Sequence, residues 1–386
     1  MRRIDYWVGK PLIWLLGKFT PKARSLHGDH HPQTPAKRVI CAKFIGLGSV
    51  VLSLPLLRAL KESGVRVAFW SFAGQAELVQ LSGYVDEVFV IRPSLRQFLP
   101  TLLRSWMQAR RFKADAFLDL EPTANFTAVL SRIVGAKARI GFMSAKPSRE
   151  SLFTHLVALT PERHMVENNL IMTRHLGVPS NPDGANLLPG VPERIRRLDS
   201  VLPVTPGRRR IVLNVNSSDL SWHRMWPEQH WVNLAEQLLR DPVVELVFPG
   251  GPNERERVER IVSRLNHPGR IFNVAGTTSL LEIMRVLLDA ELVVSVDSGI
   301  MHLAAWMDVP LLGMFGPETP SLYAPRSPRA MVLSARLPCS PCLSVAAEKI
   351  TRCQDNQCMK RITPAEVYRT CRIIIEKSIV AKKITA

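Results

Sequence analysis

Short apolar segments alternate with amphipathic segments along most of this 386-residue chain, and this alternation restricts its fold more than any other feature. Strands that alternate with helices predict parallel sheets covered by helices on both faces. A turn-rich stretch from about residue 180 to residue 208 separates two such series. The sequence therefore predicts an α/β protein with two similar domains. The predicted strands are 39–44, 65–70, 87–91, 114–122 and 137–142, then 211–215, 243–248 and 292–296.

Polar or glycine-containing segments follow the predicted strands. Ligands of open parallel sheets bind beyond the carboxyl ends of the strands, so these segments are where a site is expected. Most of them place Gly or Ser beside a presumed helix start, which presents backbone N–H groups to phosphate. They are 46–49, Glu121, 214–218, 249–254, 297–299 and 316–320, and they make Asn216, Ser217 and Gly251 candidate ligand contacts.

The segment 291–320 carries the densest pattern. An apolar run ends at Asp297-Ser298-Gly299, a helical pattern then brings His302, and a second apolar run breaks at Gly316. Helix N–H groups and an imidazole at one strand end suit a diphosphate. Taken singly, Asp297 could be a helix cap and His302 a core residue. Their combination with the second glycine turn favours a binding site.

The formal charge of +18 falls mostly in the first half of the chain and suits an anionic partner. An apolar content of 46% is enough for full cores. No RNA-recognition, zinc-finger or basic-zipper signature is present, which argues against nucleic acid. Cysteines at C-x2-C-x10-C-x4-C spacing are compatible with a structural zinc, with buried thiols or with a disulfide. They are Cys339, Cys342, Cys353 and Cys358.

Residues 1–24 combine aromatic residues such as Trp7 and Trp14 with several cations. The apolar segment is too short to span a bilayer and lacks a signal-peptide cleavage site. We expect an amphipathic arm at the membrane interface, joined by a polar linker at 25–38. The alternative is an arm packed on its own domain or on a dimer partner.

At this level of detail the chain resembles glycosyltransferase family 9, the lipopolysaccharide heptosyltransferases. The most specific match is 297-DSGIMHLAAWMDVPLLGMFGPETP-320, supported by 46–61, 117–122, 139–142, 222–238 and 250–256. The resemblance extends over about residues 38 to 370. It implies the GT-B fold, with two facing Rossmann-like domains, and metal-independent transfer with inversion. The implied divisions are an acceptor domain at 39–185, a sugar-nucleotide domain at 206–363 and a helix at 364–386 that packs back across both.

The resemblance also implies roles for single residues. Arg224 lies where a basic residue contacts the donor diphosphate, and Glu254 where an acid binds the ribose. Asp297 would contact sugar or phosphate groups, and Ser298, Gly299 and His302 the diphosphate. The implied donor is ADP-heptose, with no cofactor, and the implied acceptor is an anionic glycolipid such as a lipopolysaccharide core. The implied location is peripheral, at the cytoplasmic face of the bacterial inner membrane.

The first loop departs from the family pattern, because Ser49 replaces the aspartate proposed as the general base. A neutral serine hydroxyl is not a base near pH 7, so we expect Glu121 to take that role. Glu121 could equally be a surface residue, and the chain a catalytically silent relative that only binds sugar nucleotide or glycolipid. Cations of the first domain, Arg96, Arg104 and Arg139, with Arg149 nearby, suit an anionic acceptor.

Overall fold

The computed structural model describes residues 35–143, 147–180, 192–217, 222–345 and 349–385, together with residues 11, 13, 16, 24 and 25. The chain divides into two compact units. Unit 1 comprises Met1–Asn186 and Val345–Glu348, and unit 2 comprises Leu187–Ser344 and Lys349–Ala386. Each unit has its own parallel sheet, in agreement with the α/β prediction.

Unit 1 alternates strands and helices in chain order. Its strands are β1 Arg24–Ser25, β2 Arg38–Ala42, β3 Arg66–Phe72, β4 Glu87–Ile91, β5 Ala116–Asp119, β6 Ala138–Phe142 and β7 His155–Val157. Its helices are α1 Leu47–Val51, α2 Leu54–Glu62, α3 Ala73–Ser82, α4 Phe98–Phe112, α5 Asn125–Val134, α6 Pro147–Glu150 and α7 Met165–Ile171, followed by a 3-10 turn at Met172–Leu176. The sheet order is β1-β7-β6-β5-β2-β3-β4, and every pairing is parallel.

Unit 2 repeats this pattern with a six-stranded sheet. Its strands are β8 Arg209–Asn214, β9 Val244–Phe248, β10 Ile271–Asn273, β11 Leu292–Val296, β12 Leu311–Phe315 and β13 Ala330–Ser334. Its helices are α8 Glu193–Arg196, α9 Glu228–Leu239, α10 Arg255–Val262, α11 Leu280–Leu288, α12 Gly299–Trp306, α13 Pro320–Tyr323, α14 Gln357–Lys360 and α15 Pro364–Thr385, with 3-10 turns at Trp222–Arg224 and Pro252–Glu254. The order β10-β9-β8-β11-β12-β13 is parallel throughout.

Both sheets reverse their strand order at one place, and ligands of doubly wound sheets bind at that switch point. In unit 1 the reversal lies between β2 and β5, where Ala42 pairs with Asp119. In unit 2 it lies between β8 and β11, where Asn214 pairs with Ser295. The carboxyl ends of these four strands are therefore the places to look for a site.

The last helix completes the core of unit 2. Val367, Cys371 and Ile374 of α15 are buried in one cluster with residues of β8, β11 and α9. Trp226 donates its indole N–H to the carbonyl of Ile362, 2.8 Å away, just before this helix begins. Helix α15 is thus part of the hydrophobic core of unit 2.

The arm predicted at residues 1–24 lies almost entirely outside the described residues, as does most of the linker at 25–38. Ile13 is buried with Ala128, Leu152 and Phe153 in a small cluster of unit 1, and Leu16 packs against the same cluster. This matches the alternative in which part of the arm packs on its own domain. Among the described residues, no helix is long and apolar enough to cross a membrane.

Candidate functional site

The switch point of unit 2 is held together by the side chain of Asn214. Its amide donates to the hydroxyls of Ser295 at 2.9 Å and Ser298 at 2.8 Å. Ser298 in turn caps α12 and accepts from the amide N–H of Met301 at 3.4 Å. The end of β8 therefore fixes the turn after β11, so that the start of α12 opens at the carboxyl edge with its positive dipole end.

Four charged side chains gather at this edge. Arg224 Nη1 lies 3.2 Å from Asp297 Oδ2, and Lys349 Nζ lies 3.0 Å from Glu318 Oε1. The Lys349 ammonium also lies 4.3 Å from the centre of the Tyr323 ring. Asp297, Glu318 and Arg224 are buried, whereas the Lys349 side chain is 29% exposed, so the two acids and two cations balance one another at a largely buried position. Buried charges of this kind are stable only when paired, and an incoming anion would have to exchange these partners.

Burial raises the pKa of the Glu318 carboxyl, and the Asp297 charge adds to this effect, while Lys349 and Arg224 oppose it. Glu318 is only 1% exposed, and within the described part of the chain its Oε2 has no hydrogen-bond partner. The same holds for Nδ1 of His302 and Oδ1 of Asn216. Buried polar atoms are normally paired, so these atoms are available to bind a ligand or water.

His302 is neutral at physiological pH. Burial lowers the pKa of its imidazole from 6.5 to about 4, although the Asp297 carboxylate, with Oδ1 3.9 Å from Nε2, works in the opposite direction. The ring can therefore give a ligand one hydrogen bond without bringing a full charge.

This shift predicts a loss of stability in acid. As pH falls from 6.5 to about 4, His302 becomes protonated in the unfolded chain but stays neutral in the folded protein. Protonation therefore stabilises the unfolded chain, and the folding stability present above pH 6.5 is lost. We expect His302→Gln to remove about 2.5 kcal/mol of this loss between pH 7 and pH 4.5. Urea unfolding at pH 7 and pH 4.5 measures it. His267→Gln, at a partly exposed surface ion pair, is the control and should retain the wild-type dependence. An unchanged acid loss in His302→Gln would contradict the assignment.

The cysteine-containing segment supports the site. The amide of Asn356 donates to the carbonyls of His223 and Met225, which flank Arg224, at 3.2 and 2.8 Å. The backbone N–H of Cys342 donates to the carbonyl of Pro317 at 2.9 Å. A Cβ on Gly316 would lie 2.5 Å from the sulfur of Met359, so only glycine fits beneath this segment.

Lys349 is a site residue that the sequence did not identify, whereas Glu318 lies in the segment 316–320 where a site was expected. Lys349 lies between Cys342 and Cys353, in a stretch without periodicity or motif. Its φ of 56° is unusual for a residue with a side chain. Its meeting with Glu318 depends on how the segment folds over β12. No signal in the sequence would have found it.

The predicted zinc site stays a prediction. All six cysteines are free thiols, and within the described ranges no three or more His, Cys, Asp or Glu side chains are arranged to hold a metal ion. Burial, and then the neighbouring Cys342, raises the pKa of the Cys358 thiol to about 11.

The remaining predicted donor residues line the carboxyl ends of β8 and β9. Asn216 and Ser217 are buried, and the Asn216 amide donates to the carbonyl of Pro249 at 3.1 Å. Gly250 makes this possible, because a Cβ there would lie 2.8 Å from the same amide nitrogen. Glu254 accepts from the backbone N–H of Gly251 at 2.7 Å and so fixes the turn before α10.

An open cavity of about 610 Å³ adjoins the charged cluster. Glu318 is part of its wall, together with Ser321, Ser334, Arg336 and Ser340. This volume lies in the range of pockets that hold small ligands. Of the four clustered charges, only Glu318 lines this cavity.

At the switch point of unit 1, Glu121 is a fully engaged carboxylate. Its Oε2 lies 2.8 Å from Lys43 Nζ, and its Oε1 accepts from the backbone N–H groups of Phe44 and Ile45 at 2.8 and 2.7 Å. It is 4% exposed, so it is not a surface residue. Ser49 lies in the short helix α1 that follows this loop, partly exposed. The structure thus brings the loop of Ser49 and Glu121 to one edge.

A buried ion pair holds the strand end that carries Glu121. Arg149 Nη2 lies 2.7 Å from Asp119 Oδ2 and also donates to the carbonyl of Glu121, while Nη1 donates to the carbonyl of Pro122. Both side chains of the pair have zero exposure. Arg149, which the sequence grouped with acceptor-facing cations, is therefore a structural clamp.

The predicted acceptor residues lie apart. Arg96 and Arg104 are exposed, before and within α4. Arg139 is buried near the amino end of β6, where it donates to the carbonyls of Leu152 and Ala136 at 2.8 and 3.1 Å. In a parallel sheet the amino and carboxyl ends of strands lie at opposite edges. The structure does not bring Arg139 together with Ser49 and Glu121.

Comparison with known proteins gives a consistent result. Residues 103–350 match the family model described as glycosyltransferase family 9 (heptosyltransferase). The chain is 26% identical over 322 residues to lipopolysaccharide heptosyltransferase 1 of Escherichia coli K12, covering 77% of this chain and 93% of that protein.

Two solved structures are similar in fold. A family 9 glycosyltransferase from Veillonella parvula has a TM-score of 0.74 at 20% identity, covering 90% of this chain and 100% of that one. The E. coli heptosyltransferase WaaC, solved with ADP, has a TM-score of 0.66 at 22% identity, covering 87% and 99%. At these identities the likeness establishes the fold.

Proposed function

The chain belongs to glycosyltransferase family 9 and is a glycosyltransferase, and from that premise we propose that it moves a heptose from ADP-heptose to the core saccharide of a lipopolysaccharide. The choice of sugar and acceptor is supported by the E. coli relative, which is named a lipopolysaccharide heptosyltransferase. The choice of ADP is supported by WaaC, which was solved with that nucleotide. A membrane-held acceptor makes the proposed location peripheral, at the cytoplasmic face of the bacterial inner membrane.

The observation that carries the proposal is the charged cluster at the switch point of unit 2. A diphosphate bound at the start of α12 would take Arg224 and Lys349 from Asp297 and Glu318 and would meet the N–H groups after Ser298. His302 and Asn216 offer hydrogen-bonding atoms that the described residues leave unpaired. Glu254, at the end of β9, is the proposed ribose contact.

In the proposed reaction the acceptor hydroxyl oxygen bonds to the anomeric carbon from the side opposite the diphosphate. The bond from that carbon to the diphosphate oxygen breaks, and its electron pair leaves with ADP. The two cations and the dipole of α12 stabilise the charge that develops on the leaving oxygen. Because this charge is met by side chains and backbone, the proposed transfer needs no metal ion, and EDTA should leave its rate unchanged.

Glu121 is the proposed base for the hydroxyl proton. Its contacts set a condition, because one oxygen is held by two backbone N–H groups and the other by Lys43. Proton transfer requires the Lys43 pair to open. Arg96 and Arg104 are the proposed cations for an anionic acceptor. Arg139 is not included, because backbone carbonyls at the amino end of β6 already bind it.

The engaged state of Glu121, together with Ser49, also favours a second candidate function. A chain without a working base would bind sugar nucleotide or glycolipid and not turn over. Donor binding is common to both functions, and turnover separates them.

Thermal denaturation with ADP, UDP or GDP tests the donor site first. At a hundredfold excess over Kd, ADP should stabilise the folded protein by about 2.7 kcal/mol, seen as a higher Tm. Glu254→Gln should reduce this gain, and Glu121→Gln, in the other unit, should keep it. If no diphosphate raises the Tm of the wild type, the sugar-nucleotide proposal fails.

A transfer assay with ADP-heptose and a deacylated core acceptor then tests catalysis. Glu121→Gln should lower kcat by about 10² to 10⁴ if its carboxylate is the base. Lys43→Met, which removes the ion pair and keeps the carboxylate, is the matched control and should lose less. If Glu121→Gln turned over at the wild-type rate, Glu121 would be excluded as the base. If the wild type bound ADP but showed no turnover, the silent binding function would be established.

A further inference from the structure

Helix α4 has apolar residues on the face that points away from the core of unit 1. Other residues of the helix make its contacts with the core of unit 1. Ala109 and Phe112 are buried in that core, and Phe98, Leu102 and Trp106 pack against it. On the outer face Leu99, Leu103 and Met107 are 64%, 56% and 46% exposed, and Leu95, in the turn before the helix, is fully exposed. We call these four residues the outer row.

The outer row follows one side of the helix, because its members are four residues apart. Single exposed apolar residues are ordinary, but a row on one helix face indicates a surface that contacts something apolar. Folding does not explain the row, because none of its members belongs to the core cluster beneath the helix.

Cations surround the outer row, and α4 contains no acidic residue. Arg92, Arg96, Arg104 and Arg111 are all exposed beside it. Leucines in a row with flanking arginines are typical of a helix that lies in the plane of a membrane, with its apolar side chains among the acyl chains and its cations at the headgroups. The long arginine side chains can reach headgroup phosphates while the row inserts.

We propose that the outer face of α4 docks the protein on an anionic bilayer surface. Charge complementarity selects this occupant, since a helix with only positive charge, on a chain of net charge +18, meets an anionic surface. In this arrangement Arg96 and Arg104 contact anionic headgroups of the same membrane surface in which the proposed acceptor is held. The proposal rests on the peripheral membrane location proposed above and names the surface that makes the contact. Vesicle binding needs no sugar nucleotide, so its failure is distinguishable from a failure of the transferase reaction.

Co-sedimentation of the full chain with vesicles tests it. Wild type should bind phosphatidylethanolamine–phosphatidylglycerol vesicles, bind phosphatidylcholine vesicles far less, and release with rising salt. The triple variant Leu99→Ser, Leu103→Ser, Met107→Ser should lower the partition coefficient at least about tenfold. Arg96→Gln, Arg104→Gln, Arg111→Gln should lower it by about 10² at low salt, at roughly a factor of five per charge.

The matched control replaces three exposed apolar residues of unit 2, Val201, Ile350 and Val380, by serine. These are 51%, 61% and 57% exposed, and their loss should leave vesicle binding unchanged. The proposal would be overturned if the α4 serine variant bound vesicles as well as the wild type while the double variant Trp7→Ser, Trp14→Ser lost vesicle binding. That result would assign membrane binding to the arm. Absence of vesicle binding, with a dimer in light scattering that the α4 variant dissociates, would overturn it in favour of a second copy. Unchanged Tm values of the variants establish that they fold.

Discussion

Replacement of Arg224 by glutamine is expected to lower kcat for glycosyl transfer by about 10² to 10³, the usual cost of removing one preorganised group that meets the developing charge. Arg224 is 9% exposed and lies 3.2 Å from Asp297, at the carboxyl edge where the proposed diphosphate leaves. Steady-state kinetics with ADP-heptose and a soluble acceptor measure the effect. Arg224→Lys keeps the charge without the planar fork and should lose less.

Arg260→Gln is the control for this experiment. Arg260 forms an exposed pair with Glu228 in the same unit, and such pairs contribute little to stability and nothing to the proposed chemistry. Its kcat should equal that of the wild type. A Tm for Arg224→Gln near that of the wild type excludes unfolding as the cause. Turnover by Arg224→Gln at the wild-type rate would remove Arg224 from the mechanism.

Replacement of Arg149 by methionine is expected to lower the free energy of unfolding by about 3 to 5 kcal/mol, because it leaves the carboxylate of Asp119 buried without its partner. The variant also loses the donors to the carbonyls of Glu121 and Pro122, which hold the strand end at the switch point of unit 1. Urea unfolding followed by circular dichroism gives the difference.

The double variant Asp119→Asn, Arg149→Met should recover part of this loss, since it removes the unpaired charge. Arg66→Met breaks a pair with Glu87 that is 59% and 37% exposed, and it should cost less than about 1 kcal/mol. If Arg149→Met and Arg66→Met lowered the free energy of unfolding by the same small amount, the buried pair would not be what holds the strand end of unit 1.

The fold was largely predictable because its central strands are buried on both faces. The run at 292–296 is apolar throughout and becomes β11 with identical bounds, and 243–248 differs from β9 by one residue. Parallel strands covered by helices on both sides read as continuous apolar runs. Short strands and half-buried strands escape this signal. All five residues of β13 are half-buried, and β7 and β10 are only three residues long, so the sequence predicted none of them.

The candidate site was predictable only where it lies at a strand end. Asp297, Ser298 and Asn216 follow apolar runs, so topology alone brings them to one edge. Lys349 reaches Glu318 from a segment more than thirty residues further along the chain, and the closure of that segment over β12 is a tertiary event. Glu121 could be placed at the edge of its sheet, but its ion pair with Lys43 depends on a loop conformation that no local pattern encodes.

The position of α15 bears on how the protein is made. A growing chain leaves the ribosome with its N-terminus first, and domains generally fold as they emerge. The sheet of unit 1 has all its strands once residue 157 has left the ribosome, whereas the core of unit 2 lacks Val367, Cys371 and Ile374 until residue 374 has emerged. Unit 2 therefore completes its core later than unit 1, and a chain released before residue 367 would keep an open, aggregation-prone core in unit 2.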